Sequence, residues 1–329
     1  MNNPVPPPSP PTAKEAVDIT KIEDQKRLAE SILIDIEEWC VEKYSDGHRK
    51  HLGGSMIGRK CSRELYYAFR WVKKPDFTGR NMQGEQTRHA GQTLRLFQRG
   101  HNEEIPFTEY LVGIGCRLEA TPETQMRISD VGGHFGGSLD NVGYLPERYG
   151  VPDRMLFEFK TMNMASFNKM KNKIKKNKTA GLMKPIFPDV YPIYWSQVCV
   201  YGYKMGLKYV YFMGVDKNTD ELHVEIVELD WEHGKTMLDK AAMIITAKTA
   251  PPKISLHRTF MDCQWCNFTD ICHGDANGNK LPVEKNCRAC KHGTAADDKK
   301  WTCDLAPAGQ NTIPDEVIPV GCPSFEGIE

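Results

Sequence analysis

The sequence predicts an α/β fold in which a mixed central sheet is flanked by helices. Three observations lead there. Segments 132–145 and 154–162 read as strands: the first alternates around small residues, and the second interposes charges between Met155, Leu156, Phe157 and Phe159. Segments 95–111 and 194–203, which bracket them, are spaced as helices. A further strand pair is expected at 208–215 and 221–229, then a helix at 231–248 that Pro251 and Pro252 stop.

The chain opens on a Pro-rich stretch, residues 1–18, with no apolar run. It predicts a disordered tail rather than a signal peptide. Residues 20–43 predict an amphipathic helix with Leu28, Ile32, Ile34, Ile36 and Trp39 as its apolar content. Residues 146–153, PERYGVPD, form a turn-rich connector. From Lys169 to Lys184 the chain carries seven lysines and no acid, a solvated basic helix or loop suited to meeting phosphates. Phe167, Tyr191, Tyr194 and Trp195 nearby suit base stacking or core packing equally. Residues 19–278 are expected to form one large domain and 279–329 a small module, too poor in apolar residues to hold a core without a metal.

Composition narrows the function classes. Lys plus Arg and Asp plus Glu each number 43, so net charge is zero and gives no sign of a nucleic-acid partner; charge distribution has to do so. No apolar run reaches the roughly 18 residues of a membrane span, so a soluble, cytoplasmic protein without a membrane partner is expected. No Gly-x4-Gly-Lys-Ser/Thr occurs, so ATP hydrolysis is not expected and any unwinding falls to another protein.

The chemistry-bearing residues begin with Asp140, Glu158 and Lys160. Residues two apart in a strand share a face, so Glu158 and Lys160 point together, opposite Phe157 and Phe159. Two carboxylates suit a hard divalent cation, which takes oxygen ligands, and a lysine beside them steadies charge near an attacking water. Those are the residue types of a metal-dependent phosphodiesterase. Upstream, His101 and Glu104 share a helix face; downstream, Gln197 and Tyr201 share another.

Eleven cysteines are far more than a reduced core requires, and most are clustered. Cys263, Cys266 and Cys272 form a Cys-x2-Cys-x5-Cys set, one thiolate short of the four that usually hold a 4Fe–4S cluster. Cys61 is the candidate fourth, and a zinc knuckle completed by His273 or His257 is the alternative. Cys287, Cys290, Cys303 and Cys322 suit a structural Zn²⁺, with His292 able to replace Cys322. Cys40, Cys116 and Cys199 lie in apolar contexts and are expected to be buried small hydrophobes.

Taken in order, the helical His/Glu, Asp140, the Glu-x-Lys of Glu158 and Lys160, and the Gln-x-x-x-Tyr of Gln197 and Tyr201 resemble the RecB-like branch of the PD-(D/E)xK nucleases over roughly residues 55 to 275. Cys61, in KCSRELYY, followed by Cys263, Cys266 and Cys272 after the nuclease motifs, is similar to the iron–sulfur members. Those include the CRISPR-associated RecB-like exonucleases and the nuclease domain of AddB. The resemblance implies a restriction-endonuclease-like core with an iron–sulfur staple, beside the zinc-ribbon-like C-terminal module. It implies a Mg²⁺- or Mn²⁺-dependent DNA exonuclease acting on single strands or ends in replication, recombination or repair. A structure-specific endonuclease and a non-catalytic DNA-binding recombination accessory are the alternatives. Asp140 and Glu158 would ligate the cation with the Phe159 carbonyl and either His101 or Glu104; Glu103 competes for that last position, where the family offers one clear residue. Lys160 would act on water, Gln197 and Tyr201 on the substrate strand or Lys160. A separate helicase or recombination protein is the expected partner, and a compact nuclease without a motor suits a phage, acting in host cytoplasm.

Overall fold

The structure is a computed structural model describing residues 19–80, 86–275 and 277–328; the expected disordered tail, 1–18, lies outside the described residues. In chain order the elements are α1 (Ile22–Tyr44), β1 (Leu52–Gly53), α2 (Ser62–Phe69), β2 (Gly79–Arg80), β3 (Gln86–Arg88), α3 (Ala90–Gly113), β4 (Arg117–Leu118), β5 (Arg127–Asp130), β6 (Phe135–Ser138), β7 (Asn141–Tyr144) and β8 (Met155–Met162). There follow α4 (Met164–Thr179), α5 (Phe187–Val190), α6 (Pro192–Met205), β9 (Tyr209–Asp216), β10 (Leu222–Glu228), α7 (Trp231–Thr246), α8 (Met261–Gln264), α9 (Thr269–Cys272), β11 (Gly293–Ala295), β12 (Trp301–Cys303) and β13 (Thr312–Ile313).

The central sheet has the order β10-β9-β8-β7-β4 and is mixed, as the alternation of strand and helix patterns predicts. β8 and β9 run parallel with Glu158 opposite Phe212, and a parallel pair needs a long crossover, which α4 to α6 supply. β7 pairs antiparallel with β8, Asn141 opposite Phe157. A second sheet, β1-β6-β5, adjoins it. β6 belongs to the small sheet and β7 to the large one, so the chain changes sheets at Leu139–Asp140.

Local chemistry sets the helix ends. Asn163 caps α4 by accepting from the Ser166 amide at 2.8 Å, and Asp230 caps α7 by accepting from His233 at the same distance. α6 starts on Pro192 and stops at Gly206, whose φ of +65° is the left-handed cap that glycine adopts freely.

The period-2 pattern of β8 divides two cores. Met155, Phe157 and Phe159 pack with Phe107 and Leu111 of α3, whereas Leu156 and Met162 join Val198, Tyr201, Val210 and Phe212 on the α6 side. Glu158 and Lys160 fall on the second side by alternation. Residues of 279–329 enter that same large core: Cys287, Ala289, Trp301, Ile313, Ile318 and Ile328 are buried in it.

α1 forms, but its apolar content stays exposed, with Ile32, Ile36 and Trp39 bordering an open groove against α3. Leu28, Ile32, Ile34, Ile36 and Trp39 are all exposed, while Glu37 and Cys40 are the buried positions. Glu37 meets Arg95 at 2.6 Å and His89 at 3.3 Å, ion pairs that tie its stripe to α3. Cys40, Cys116 and Cys199 are buried as expected. Among the described residues, no helix is long and apolar enough to cross a membrane.

Candidate active site and cysteine cavities

Asp140 stands at the sheet change and is tied to the neighbouring strand, its Oδ2 accepting from the Phe159 amide at 2.7 Å. That bond brings it beside the two charged residues of β8. Lys160 Nζ lies 2.5 Å from Glu158 Oε1 and 4.0 Å from Asp140 Oδ2. Glu158 is wholly buried, and its Oε2 has no hydrogen-bond partner. An unmatched carboxylate oxygen in the interior costs free energy unless a cation or donor meets it.

The titration of the neighbours follows the same crowding. Burial, and then the charge of Glu158, push the Asp140 carboxyl up to about 7, with Glu104 adding to the effect and Lys160 and the Phe159 amide opposing it. Burial alone would lower the Lys160 ammonium, but Glu158 and Asp140 outweigh it and hold the proton more tightly than usual. The Lys160 ammonium also sits over the Tyr194 ring, 5.2 Å from its centroid.

Gln197 and Tyr201 are buried on α6, one turn apart. Burial raises the Tyr201 phenol, Glu158 and Asp140 raise it further, and a bond from Gln197 pulls the other way. The phenol fits because two glycines make room: a Cβ at Gly54 would stand 2.8 Å from the Tyr201 hydroxyl, and one at Gly137 would collide with it. On α3, His101 Nδ1 is 3.3 Å from Glu104 Oε1, and Gln125 donates to the other oxygen of Glu104 at 2.5 Å. That contact to Glu104 raises the His101 imidazolium, burial opposes it, and Asp140 contributes. Glu104 and His101 therefore both act on the Asp140 carboxylate, the first from a half-buried position and the second from an exposed one; Glu103 is half-buried one residue round the helix. Tyr194, Gln125 and the Gly54/Gly137 pair were not singled out for these roles in sequence, although HFGGSLD carries a visible glycine signal.

Of the seven lysines from Lys169 to Lys184, three are neutralised: Lys171 by Glu221 at 2.7 Å, and Lys173 and Lys184 by Asp189 at 3.0 and 2.9 Å. Lys169, Lys175, Lys176 and Lys178 have no ion pair among the described residues. Phe167 is core, and Tyr191 and Trp195 pack against the core, leaving Tyr194 as the exposed ring.

The cysteines converge in two cavities. Cys61, preceding α2, lines one of them with Cys263, Cys266 and Cys272 from α8, α9 and their junction. Burial and then Glu64 push the Cys266 thiol up to about 12, with Cys61 and Cys272 adding to it; Cys263 is raised by burial and then by the same two sulfurs. His273 lines the same cavity with its Nε2 buried and unpartnered, whereas His257 is exposed outside it. The second cavity is lined by Cys287, Cys290, Cys303, Cys322 and His292. Burial pushes the Cys287 thiol up to about 11, followed by the influence of Cys322, Cys290 and Cys303. His292 Nε2 meets Glu326 at 3.0 Å. Low-dielectric walls that resist thiolate formation are what a bound metal cation reverses, so both sets fit a thiolate-held metal in composition. Among the described residues, no group of three or more His, Cys, Asp or Glu side chains is placed to hold a metal ion.

No family model matches the chain, and no curated protein matches it. Among solved structures, the chain is similar to SSO0001, at 13% identity and a TM-score of 0.39, over 77% of this chain and 98% of that one. It is also similar to the alkaline exonuclease LHK-Exo of Laribacter hongkongensis, at 16% identity and a TM-score of 0.37, over 63% of this chain and 90% of that one. For LHK-Exo in complex with dAMP the TM-score is 0.38. These likenesses are distant; the chemistry is defined by the side chains of this chain.

Proposed function

We propose that this protein is a Mg²⁺- or Mn²⁺-dependent deoxyribonuclease that hydrolyses DNA from single-stranded or free ends. The observation that carries this reading is the buried Glu158, one oxygen against the Lys160 ammonium and the other unpartnered, with Asp140 alongside. Asp140 and Glu158 would hold the divalent cation, with the Phe159 carbonyl and Glu104 or His101 completing the protein's ligands. When bound, the cation supplies Lewis-acid polarisation of the scissile phosphate. Lys160, kept protonated by its two carboxylate neighbours, donates to the attacking water and orients it. Tyr201 and Gln197 back Lys160 and Glu158 from α6, and Tyr194 confines the lysine head. Lys169, Lys175, Lys176 and Lys178 remain available for phosphates.

The cysteine sets serve as staples in this reading. Cys61, Cys263, Cys266 and Cys272 hold a 4Fe–4S cluster, and Cys287, Cys290, Cys303 and Cys322 a Zn²⁺. Hydrolysis needs no electron transfer, so neither group is asked for chemistry. Anaerobically purified protein should carry about four irons and one zinc per chain; two zincs and no iron would establish the zinc-knuckle alternative.

The deciding experiment is incubation of linear and circular single-stranded DNA with Mn²⁺. Degradation of the linear form alone supports the exonuclease. Cutting of both forms moves the reading to an endonuclease, and cutting of neither leaves a DNA-binding accessory protein. A helicase or recombination protein would supply the unwound strand.

A further inference from the structure

The outer face of the small β1-β6-β5 sheet is unlike the rest of the surface. Cross-strand partners share a face, so Arg127 opposite Ser138 and Ser129 opposite Gly136 lie on one side, while Ile128 opposite Gly137 lies on the core side. Gly53 of β1 pairs with Gly136 of β6, which leaves two facing positions with no side chain. Arg49 folds into the space: a Cβ at Gly53 would stand 2.9 Å from its Nη1, and the guanidinium's hydrogen bond is a long one, 3.5 Å to Ser55. The His51 ring lies above Gly136, 3.7 Å from where a Cβ would be.

A fourth group arrives from the segment between β11 and β12. Asp298 and Lys299 hold consecutive left-handed conformations, φ +59° and +62°, which cost free energy in residues other than glycine. That turn lets the Lys299 amide donate to the Gly132 carbonyl at 2.8 Å and lays its stem on Gly133. Arg49, Arg127 and Lys299 are exposed, and none has an ion pair among the described residues. Of the nearby acids, Asp130 is taken by Lys204, while Asp297, which lies against Gly132, and Asp298 are exposed at the end where Lys299 enters. The His51 pKa is held below the usual histidine range by burial and then by Arg49, Lys299, Arg288 and Arg127, all of one sign. In a chain of zero net charge, this clustering makes a local positive potential that favours an anion.

β6 runs from this trough to Asp140, two residues beyond Ser138. We infer that Arg49, Arg127 and Lys299, over the Gly53–Gly136 floor, form a track for the phosphate backbone of the DNA strand that enters the Asp140–Glu158–Lys160 site. The inference rests on the nuclease reading and adds to it the surface that grips the substrate outside the cutting site. The occupant is sugar–phosphate rather than bases, since the trough offers guanidinium and ammonium groups over bare glycine and no exposed aromatic platform.

The test is fluorescence anisotropy with a labelled single-stranded oligonucleotide in Ca²⁺, titrated across salt concentrations. Arg49→Gln/Arg127→Gln/Lys299→Gln should make log K against log salt shallower by about two, given roughly 0.7 per neutralised phosphate on single strands. It should bind at least about tenfold more weakly at 0.1 M salt, with kcat at saturating DNA unchanged. Arg49→Lys/Arg127→Lys should keep the wild-type slope. If the triple variant does not fold, Arg127→Gln alone, on an exposed strand position, should give about a third of that slope change. A folded variant that matches wild-type affinity and slope overturns the track while leaving the nuclease intact. Wild-type protein that binds no DNA overturns the nuclease reading, and the track with it.

Discussion

Two crowded cations of this molecule, the half-buried Lys160 and the buried Arg288, are accommodated in opposite ways. Lys160 is flanked by the carboxylates of Glu158 and Asp140, and the carboxylates retain unmet capacity. Arg288 has no carboxylate partner among the described residues; its guanidinium lies 4.6, 4.2 and 4.8 Å from the ring centroids of Phe69, Trp71 and Trp301. One N–H group donates to the Lys50 carbonyl at 3.1 Å, while Nε and Nη2 are buried without partners. Burial, then the neighbouring Arg70 charge, pull its pKa well below the ordinary arginine range. Ring faces disperse a charge without leaving anything to react, at about 0.5–2 kcal/mol per contact. Carboxylates that outnumber their lysine make a place for another cation. The ring arrangement is scaffold, and the carboxylate arrangement is the one that suits the proposed chemistry.

The largest effect should come from removing the excess acid. Asp140→Ala or Glu158→Gln should cut DNA cleavage by about a thousandfold or more, since loss of the cation forfeits several kcal/mol of transition-state stabilisation. DNA affinity in Ca²⁺ should stay within a few-fold, because phosphate grip is spread over many lysines and arginines. Activity near wild type in either variant would make this pair as inert as Arg288.

Lys160→Met separates the two cations further. It should lower turnover by about a hundredfold, an effect of the size general acid–base and positioning groups supply. It also leaves two carboxylates facing each other, so its melting temperature should fall in EDTA and recover with Mg²⁺ by more than that of the wild type. A melt insensitive to Mg²⁺ in this variant would argue against a cation between Asp140 and Glu158.

Arg288 should answer to shape rather than to charge. Arg288→Ala empties a space between three rings and should cost about 3 kcal/mol, or roughly 5–10 °C of melting temperature. Arg288→Met fills it with a side chain that packs well against aromatics and should stay within about 2 °C of wild type. Turnover per folded molecule should be unaffected in both. A large loss in the methionine variant would show that the charge itself is needed there.

The smallest effect is on pH dependence. His134, packed edge-on to Phe69 and Trp301, has its Nε2 at 2.8 Å from the Ala296 carbonyl and is held below the usual histidine pKa first by burial. The unfolded chain protonates it more readily, so its contribution is present above the unfolded pKa of about 6.5 and declines as pH falls through it toward the folded value. The limit is about 1.4 kcal/mol per pH unit for one proton. Thermal melts at pH 7.5 and 5.5 should show a smaller acid loss for His134→Gln than for wild type. Equal losses would assign the effect to other depressed histidines, such as His48 and His51.

What the sequence revealed follows the range of its signals. The period-2 pattern of β8 told which face Glu158 and Lys160 share, because alternation is local, and the helix spacings of α3 and α6 told the same of His101/Glu104 and Gln197/Tyr201. Cysteine spacing foretold two groups, and Cys61 does join its set from about two hundred residues away. Contacts without a periodic trace were hidden. Nothing local to Arg288 announces rings from positions 69, 71 and 301, and nothing in α1 says that Glu37 is buried while Trp39 is exposed. The strand order and the two-residue strands β1 and β4 were equally silent, since strands that short carry no periodicity.

The contacts of Arg70 have a consequence for how the chain is made. It donates to the carbonyl of Arg288, 218 residues later, and to that of Cys290 at 2.6 Å. At about 5–20 residues per second, a ribosome delivers those partners roughly ten to forty seconds after residue 70. Throughout that interval Phe69 and Trp71 lack the Arg288 and Trp301 surfaces they pack on, and that stretch of core stays wet and adhesive. Folding of α2 against its final neighbours is therefore a late event, and a nascent chain stalled before Arg288 would offer chaperones and proteases an open patch beside a half-built sheet.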